Sequence, residues 1–415
     1  MPDVDDPAES GELPGRFEFA REPSPFVVPA DPNFERFSDV IRDFTADPGA
    51  SYSGQDAAGT PDVLDHFRDT EDPSLSIGYD LQRFLVDGAG DPLDASGDGV
   101  LRDDDNTLPN THLVVERQES AAGLGNDGAG VRTYTVGRGC RPETAEATLD
   151  PSSGAPTLME LDYQPRKIRS YELHQPSAET TIDIVSTSDA DTIDVVVEDE
   201  GATTAETLTL NGTTTVTTTA SFADLDAVFL RAAPVGDVTV TDGSGTTLLE
   251  IDGGLTYSED NQPVDGDRGI PALGNGSRAS EIGTSYEHFV GDRFQRPDAE
   301  AVRTRVNSAS WTVENDITTD SVHASRLPVV DVGGRTVEVE ADVGGPFVSH
   351  RSMRESLTKV QQELVHELDG GVLEFASTVP QDAAERERTA DDGGVVSYTE
   401  TFMASGDPPL VVSAN

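Results

Sequence analysis

GAPTLMELDYQPRKIRSYELHQPS, residues Gly154 to Ser177, is the stretch whose reading decides the fold. Thr157–Tyr163 alternates, with Met159, Leu161 and Tyr163 on one face and Glu160 and Asp162 on the other. Arg169–His174 alternates again and sets Tyr171 and Leu173 together. A period of two predicts strands, and the break between them predicts a hairpin. Its turn holds Arg166, Lys167 and Arg169, the tightest basic cluster in the chain. Beyond Ser177 the composition shifts to Thr and Val, so the hairpin closes one unit and opens onto another.

Across 415 residues, 78 Asp and Glu face 28 Lys and Arg, a formal net charge of −50. Arg supplies nearly all the positive charge, since Lys167 and Lys359 are the only lysines. Self-repulsion of that size opposes a compact state at low salt. In molar salt the screening length falls to about 3 Å and the repulsion largely vanishes. The composition therefore indicates a halophile. Acid spread along the whole chain suits a solvated surface, and scarce cations disfavour binding to nucleic-acid phosphate. Cys140 is the one cysteine, which excludes an internal disulfide and any cysteine-based metal site. The first residues, MPDVDDPAESGELPG, lack a basic region followed by an apolar run, and no segment has the apolar length of a membrane span. A soluble protein made inside the cell, without membrane insertion, is expected.

The chain divides by pattern into a mobile acidic arm (1–15), a first β-rich unit (16–177), an inserted unit (178–253), a connector (254–285) and a third unit (286–415). In the first unit Asp31 and Pro32 read as a cap and first turn, and Phe34, Phe37, Val40, Ile41 and Phe44 fall on one helical face. Strands are expected around Arg16–Phe19, Ser74–Val86, His112–Glu116, Val131–Val136 and Thr144–Leu149. The insert shows seven short alternating runs separated by turns such as Asn211-Gly212, the count of a small immunoglobulin-like sandwich. In the third unit Ser352 and Glu355 form a capping box before Met353, Leu357, Val360, Leu364 and Leu368, a second helix stopped by Gly370 and Gly371. The fold class read from these patterns is mainly β: two sandwich or barrel domains, each with a packed helix, plus the inserted sandwich. Two local echoes point to duplication of the β-rich domain. Ser74–Tyr79 resembles Ser308–Val313, and Ser170-Tyr171-Glu172 resembles Ser397-Tyr398-Thr399.

Candidate sites are few. Asp94, Ser96, Asp98 and Asp105 with Gly99 follow the skeleton of a calcium loop, a candidate site for Ca2+ or Mg2+, although the flanks do not read as helices. Gly137-Arg138-Gly139-Cys140 follows a strand but lacks the lysine of a phosphate loop. The seven histidines are dispersed, and an ordinary packing role outweighs pairing with Cys140 as a nucleophile. No pattern argues for an enzyme or for a required cofactor. Arg166, Lys167 and Arg169 read either as cations offsetting local acid or as a contact between subunits, where they would meet the acidic surface of a neighbour.

The first unit resembles the major tail tube protein of long-tailed haloarchaeal viruses. The likeness rests on RFEFAREPSPFVVPADPNFERFSDVI (16–41), SLSIGYDLQRFLVDGAGDPLDASGDGVLRDDDN (74–106) and TVGRGCRPETAEATLDP (135–151), followed by the opening stretch. It covers residues 15 to 177 and extends weakly to the third unit. The resemblance implies tail-tube-like domains, here two in one chain, and rings of subunits stacked into a hollow tail. With one domain per subunit such rings are hexameric; with two, a trimer suffices. It further implies other tail proteins as partners, genome DNA passing through the lumen without specific binding, an outward-projecting insert, and a place in the virion tail assembled in the cytoplasm of a halophilic archaeal host. The alternatives are a capsid or baseplate component, and a surface carbohydrate-binding β-protein.

Overall fold

The computed structural model describes residues 16–22, 34–49, 52–56, 63–68, 72–82, 111–119, 130–149, 155–199, 203–254, 267–272, 289–295, 302–304, 306–320, 329–344, 362–368, 371–380, 385–388, 396–405 and 410–414. The first group of strands is β1 (Arg16–Glu22), β2 (Glu35–Arg36), β3 (Ile41–Asp47), β4 (Tyr52–Asp56), β5 (Val63–Arg68), β6 (Ser74–Asp80), β7 (Thr111–Glu119), β8 (Val131–Leu149), β9 (Leu158–Gln164) and β10 (Lys167–His174). The insert holds β11 (Ile182–Ser186), β12 (Asp194–Glu198), β13 (Ala205–Thr209), β14 (Val216–Thr217), β15 (Ala227–Leu230), β16 (Val238–Asp242) and β17 (Thr247–Ile251). The last group is β18 (Phe289–Gln295), β19 (Val302–Thr304), β20 (Val306–Asp320), β21 (Val329–Gly344), β22 (Gln362–Leu368), β23 (Gly371–Pro380), β24 (Glu385–Arg388), β25 (Val396–Met403) and β26 (Leu410–Ala414).

The architecture corrects the expected fold class. Among the described residues there is no helix, and no sheet closes into a barrel. Phe34, Phe37, Val40 and Ile41 are buried, as an amphipathic helix would require, but the chain there is two strand segments separated by bends at Phe37 and Asp39. Glu35–Arg36 pairs with β1 and Ile41–Asp47 with β6, so strand neighbours override the helical spacing. In the second expected helix, residues 352–361 lie outside the described residues. Gln362–Leu368 is a strand with β18 on one side and β23 on the other. Leu364 and Val365, adjacent in sequence, are both fully buried, which a strand covered on both faces explains.

The opening stretch is not a hairpin. β9 and β10 do not pair with each other; both lie antiparallel along β8, with Gln164 opposite Arg141 and Lys167 opposite Arg138. The residue numbers of these two pairs have the same sum, so β9 and β10 follow one register along one edge of β8. They are one extended arm, interrupted at Pro165-Arg166. The other edge of β8 is shared too: its first half carries β7 and its second half carries β20.

Two kinds of sheet result. A first small sheet runs β2-β1-β7-β8-β10. A second runs β19-β18-β22-β23-β26. Both back onto one shared sheet, β3-β6-β9-β8-β20-β21-β25, which ends in β24 and the last residues of β23. A continuous core lies between the layers, with Phe17, Phe19, Tyr79, Met159, Leu161, Tyr163, Trp311, Phe375 and Phe402 all buried.

The pairing scheme repeats. β1, β2, β3, β6, β7, β8, β9 and β10 have the same partners, in the same order along the chain, as β18, β19, β20, β21, β22, β23–β24, β25 and β26. Even the irregularities coincide: Pro142 faces Tyr163 beside a bulge in β8, and Pro380 faces Phe402 where β23 gives way to β24. The local sequence echoes align other strands. Ser74–Tyr79 lies in β6, whose counterpart is β21, whereas Ser308–Val313 lies in β20, the counterpart of β3. Ser170–Glu172 lies in β10 and Ser397–Thr399 in β25, which are not counterparts either.

The insert forms a four-stranded sheet, β14-β11-β16-β17, and a three-stranded one, β13-β12-β15. It packs onto the far face of the first small sheet, where Leu113, Val115, Tyr134, Val136, Tyr171 and Leu173 join the insert's apolar core. A buried ionic knot pins this contact. Asp226, 1% exposed, lies 3.0 Å from Arg117 Nε and 3.9 Å from Arg132 Nη1. The Tyr134 hydroxyl donates to its carboxylate and backbone carbonyl, both at 2.8 Å. Removing one partner from a buried ion pair strands the other charge and costs about 3–5 kcal/mol. Asp226→Ala is therefore expected to lower unfolding stability by about that much, whereas Tyr134→Phe, losing a hydrogen bond to the charged carboxylate, should cost about 1.5–3 kcal/mol; urea melts in molar salt check both.

Candidate assembly surface

The shared sheet turns one face to the core and the other away from it, so its alternation sorts side chains by face. Opposed residues on the outer face form rows. One row runs Asp43, Gly78, Glu160, Glu146, Thr312, Glu338 across six strands. The next runs Thr45, Ser76, Asp162, Thr144, Glu314, Thr336. Carboxylates and hydroxyls fill this field, and no Lys or Arg stands inside it among the described residues. Cations occur at its ends: Arg42, paired with Asp80, and Arg141 opposite Gln164.

Like charges here are direct neighbours. Glu160 faces Glu146 across the strands, and burial, then Glu146, Asp43 and Asp162, push its carboxyl pKa up. Glu143 is raised likewise, by burial and then by Asp162, Glu314 and Asp72. Gly78 shapes the field, because a Cβ at that position would collide with the Asp43 carboxylate. The absent side chain lets Asp43 lie over the strand beside Glu160.

The ends of the shared sheet are its second feature. Among the described residues β3 pairs only with β6, and β24 only with β25. Both therefore have one edge of backbone donors and acceptors without a strand neighbour. Phe44 and Ala46 on β3 are packed against the core but only partly buried. Their counterparts by register are Ala309 and Trp311 in β20, which β8 covers and which are 4% and 1% exposed.

The sequence-derived site residues fall elsewhere. Asp94, Ser96, Asp98 and Asp105 lie outside the described residues. Among those that are described, no group of three or more His, Cys, Asp or Glu is arranged to hold a metal ion. Lys167 and Arg169 point to the insert side, where Lys167 Nζ lies 2.8 Å and Arg169 Nε 3.2 Å from the buried Asp267 carboxylate. Both are thus engaged inside the chain. Arg166 is half-buried near Arg141, and burial followed by that neighbouring charge lowers its pKa. Gly137–Cys140 lies within β8 rather than in a phosphate-binding turn.

The strands do set Cys140 opposite His112. Both are fully buried, His112 with its ring edge-on to Phe19 and Tyr163. Burial, then Glu22, raises the thiol; burial, then Arg21, lowers the imidazole to about 4. These shifts oppose a thiolate–imidazolium pair, which needs a depressed thiol. The imidazole is a neutral core group.

A histidine depressed in the folded state binds its proton first in the unfolded chain. Its neutral form costs nothing above pH 6.5, and stability is lost as pH falls from there to about 4, at about 1.4 kcal/mol per unit. His112→Phe is expected to flatten the acid limb of stability over that window, read from urea midpoints against pH. Glu160→Gln should act oppositely in neutral solution. It relieves the Glu146 repulsion and stabilises by about 0.5 kcal/mol at low salt, a gain that fades in molar salt; thermal melts across a salt series test it. No family model matches this chain, and no curated protein matches it.

Proposed function

We propose that this chain is a self-assembling structural protein that forms stacked rings, the tail tube of a long-tailed haloarchaeal virus. One observation carries the reading. Two units with the same strand order are already joined edge to edge within the chain through β8 and β20, and among the described residues the shared sheet ends in two open edges. A surface that joins unlike edges head to tail builds rings when the rotation closes and filaments when it does not. With two units in each chain, three copies supply six, so the ring is a trimer with pseudo-sixfold repetition.

The carboxylate face then lines the channel. A wall of like charge repels nucleic-acid phosphate, so genome DNA passes without specific binding, and no phosphate-neutralising arginine patch is needed. The insert, packed on the far side of the first small sheet, faces outward from the ring, where other tail proteins are reached. Concentrated salt screens both the wall and the net charge of −50, which fits assembly in the cytoplasm of a halophilic archaeon.

Negative-stain microscopy of the purified protein in molar salt is the test. Rings or tubes with a central channel are expected. Monodisperse monomers at high concentration, across the full range of salt, would sink the proposal.

A further inference from the structure

The repeated pairing scheme does more than suggest that copies join; it specifies how. Within the chain, β8 meets β20 in an antiparallel ladder with Ala147 opposite Trp311, Thr148 opposite Ser310 and Leu149 opposite Ala309. Each strand has a counterpart in the other unit. Tyr163 faces Leu75 and Phe402 faces Val339, which makes β9 and β25 equivalent and β6 equivalent to β21. Leu75 faces Ala46 and Val339 faces Trp311, so Ala46 is the counterpart of Trp311. Met159 faces Ala147, and Tyr398, its counterpart, faces Arg386, so Arg386 is the counterpart of Ala147.

Substituting counterparts into the observed ladder gives a second ladder that the chain does not make with itself. From this geometry we infer that β24 of one copy pairs antiparallel with β3 of the next, with Arg386 opposite Ala46, Glu387 opposite Thr45, Arg388 opposite Phe44 and Glu385 opposite Asp47. The partner is a second copy of this chain, and the junction between chains repeats the junction between halves. Partial exposure of Phe44 and Ala46 is an independent sign of the same missing neighbour, because their counterparts in β20 are covered by β8. The register also sets an acidic pair, Glu385 and Asp47, in opposed positions. Like charges directly opposite destabilise a sheet, so the junction strengthens as salt rises.

This inference rests on the ring reading but fails separately from it. The test is a double variant, Thr45→Cys with Glu387→Cys, oxidised in molar salt beside Thr45→Cys with Arg388→Cys, which is one residue out of register. The native Cys140 is fully buried and does not compete. The in-register variant is expected to give a ladder of covalent multimers on non-reducing gels, at least tenfold above the out-of-register control. Wild-type hydrogen exchange supplies a second readout free of variants: amides of 44–47 and 385–388 should gain protection on passing from dilute low-salt monomer to high-salt assembly. Rings in the microscope without either signal would overturn the edge and register while leaving ring formation intact. Neither rings nor either signal would overturn both.

Discussion

The ladder between Thr144–Leu149 of β8 and Ala309–Glu314 of β20 joins two halves that are otherwise separate pairs of sheets. It exists because β8 is long enough to belong to two layers. Its first half carries β7 and β10, its second half β9 and β20. A flat strand of that length could not serve two packed sheets, since sheets facing one another lie about 10 Å apart. The bulge between Pro142 and Thr144 provides the bend, and proline is tolerated there because a bulge relaxes the ladder. Asn315 fixes the corner by donating to the Pro142 carbonyl at 3.0 Å. Break that bend, and the shared sheet has no common axis about which its halves are arranged.

Beneath the carboxylate face the balance of magnitudes is plain. An opposed pair of like charges costs about 0.2–1 kcal/mol. Burying one large aromatic or aliphatic side chain contributes about 1.5–3 kcal/mol. Each inward-facing Met159, Leu161 or Phe402 therefore outweighs a repulsive pair such as Glu160 and Glu146 on the other side of the same sheet. The sheet keeps its acid because its core can carry it, and because salt reduces what must be carried. A chain with fewer aromatic residues under this face would lose the tolerance.

Much of this architecture was legible from alternation. β1, β6, β7, β9, β10 and the seven strands of the insert all lie where a period of two appears. What alternation cannot reveal is which edge a strand joins. Hence β9 and β10 read as a hairpin around Pro165 when both run along β8. The spacing of Phe34, Phe37, Val40 and Ile41 marks them as core residues but mimics a helix, because spacings of three and four also arise in strand segments buried on both faces and broken by bends. The site was less legible still. Glu146 and Glu160 are ordinary acids in sequence, and only the ladder makes them neighbours. Ser74–Tyr79 and Ser308–Val313 are alike in sequence, yet their strands hold different places in the scheme; the repeat lies in the order of partners, which leaves little trace in local sequence.

The knot at Asp226 is one of several contacts that tie the insert to its seat. Tyr134, Val136, Tyr171 and Leu173 form an apolar face on the first small sheet that the insert covers. Gln175 exchanges hydrogen bonds with the Leu225 backbone, Lys167 and Arg169 hold Asp267, and Gly269 fits against β15 only without a side chain. Deleting the module would bare a hydrophobic surface and leave Arg117 and Arg132, buried in its presence, without Asp226. A chain lacking the module would therefore need polar residues in place of Tyr134, Val136, Tyr171 and Leu173, since an exposed apolar patch of that kind invites association.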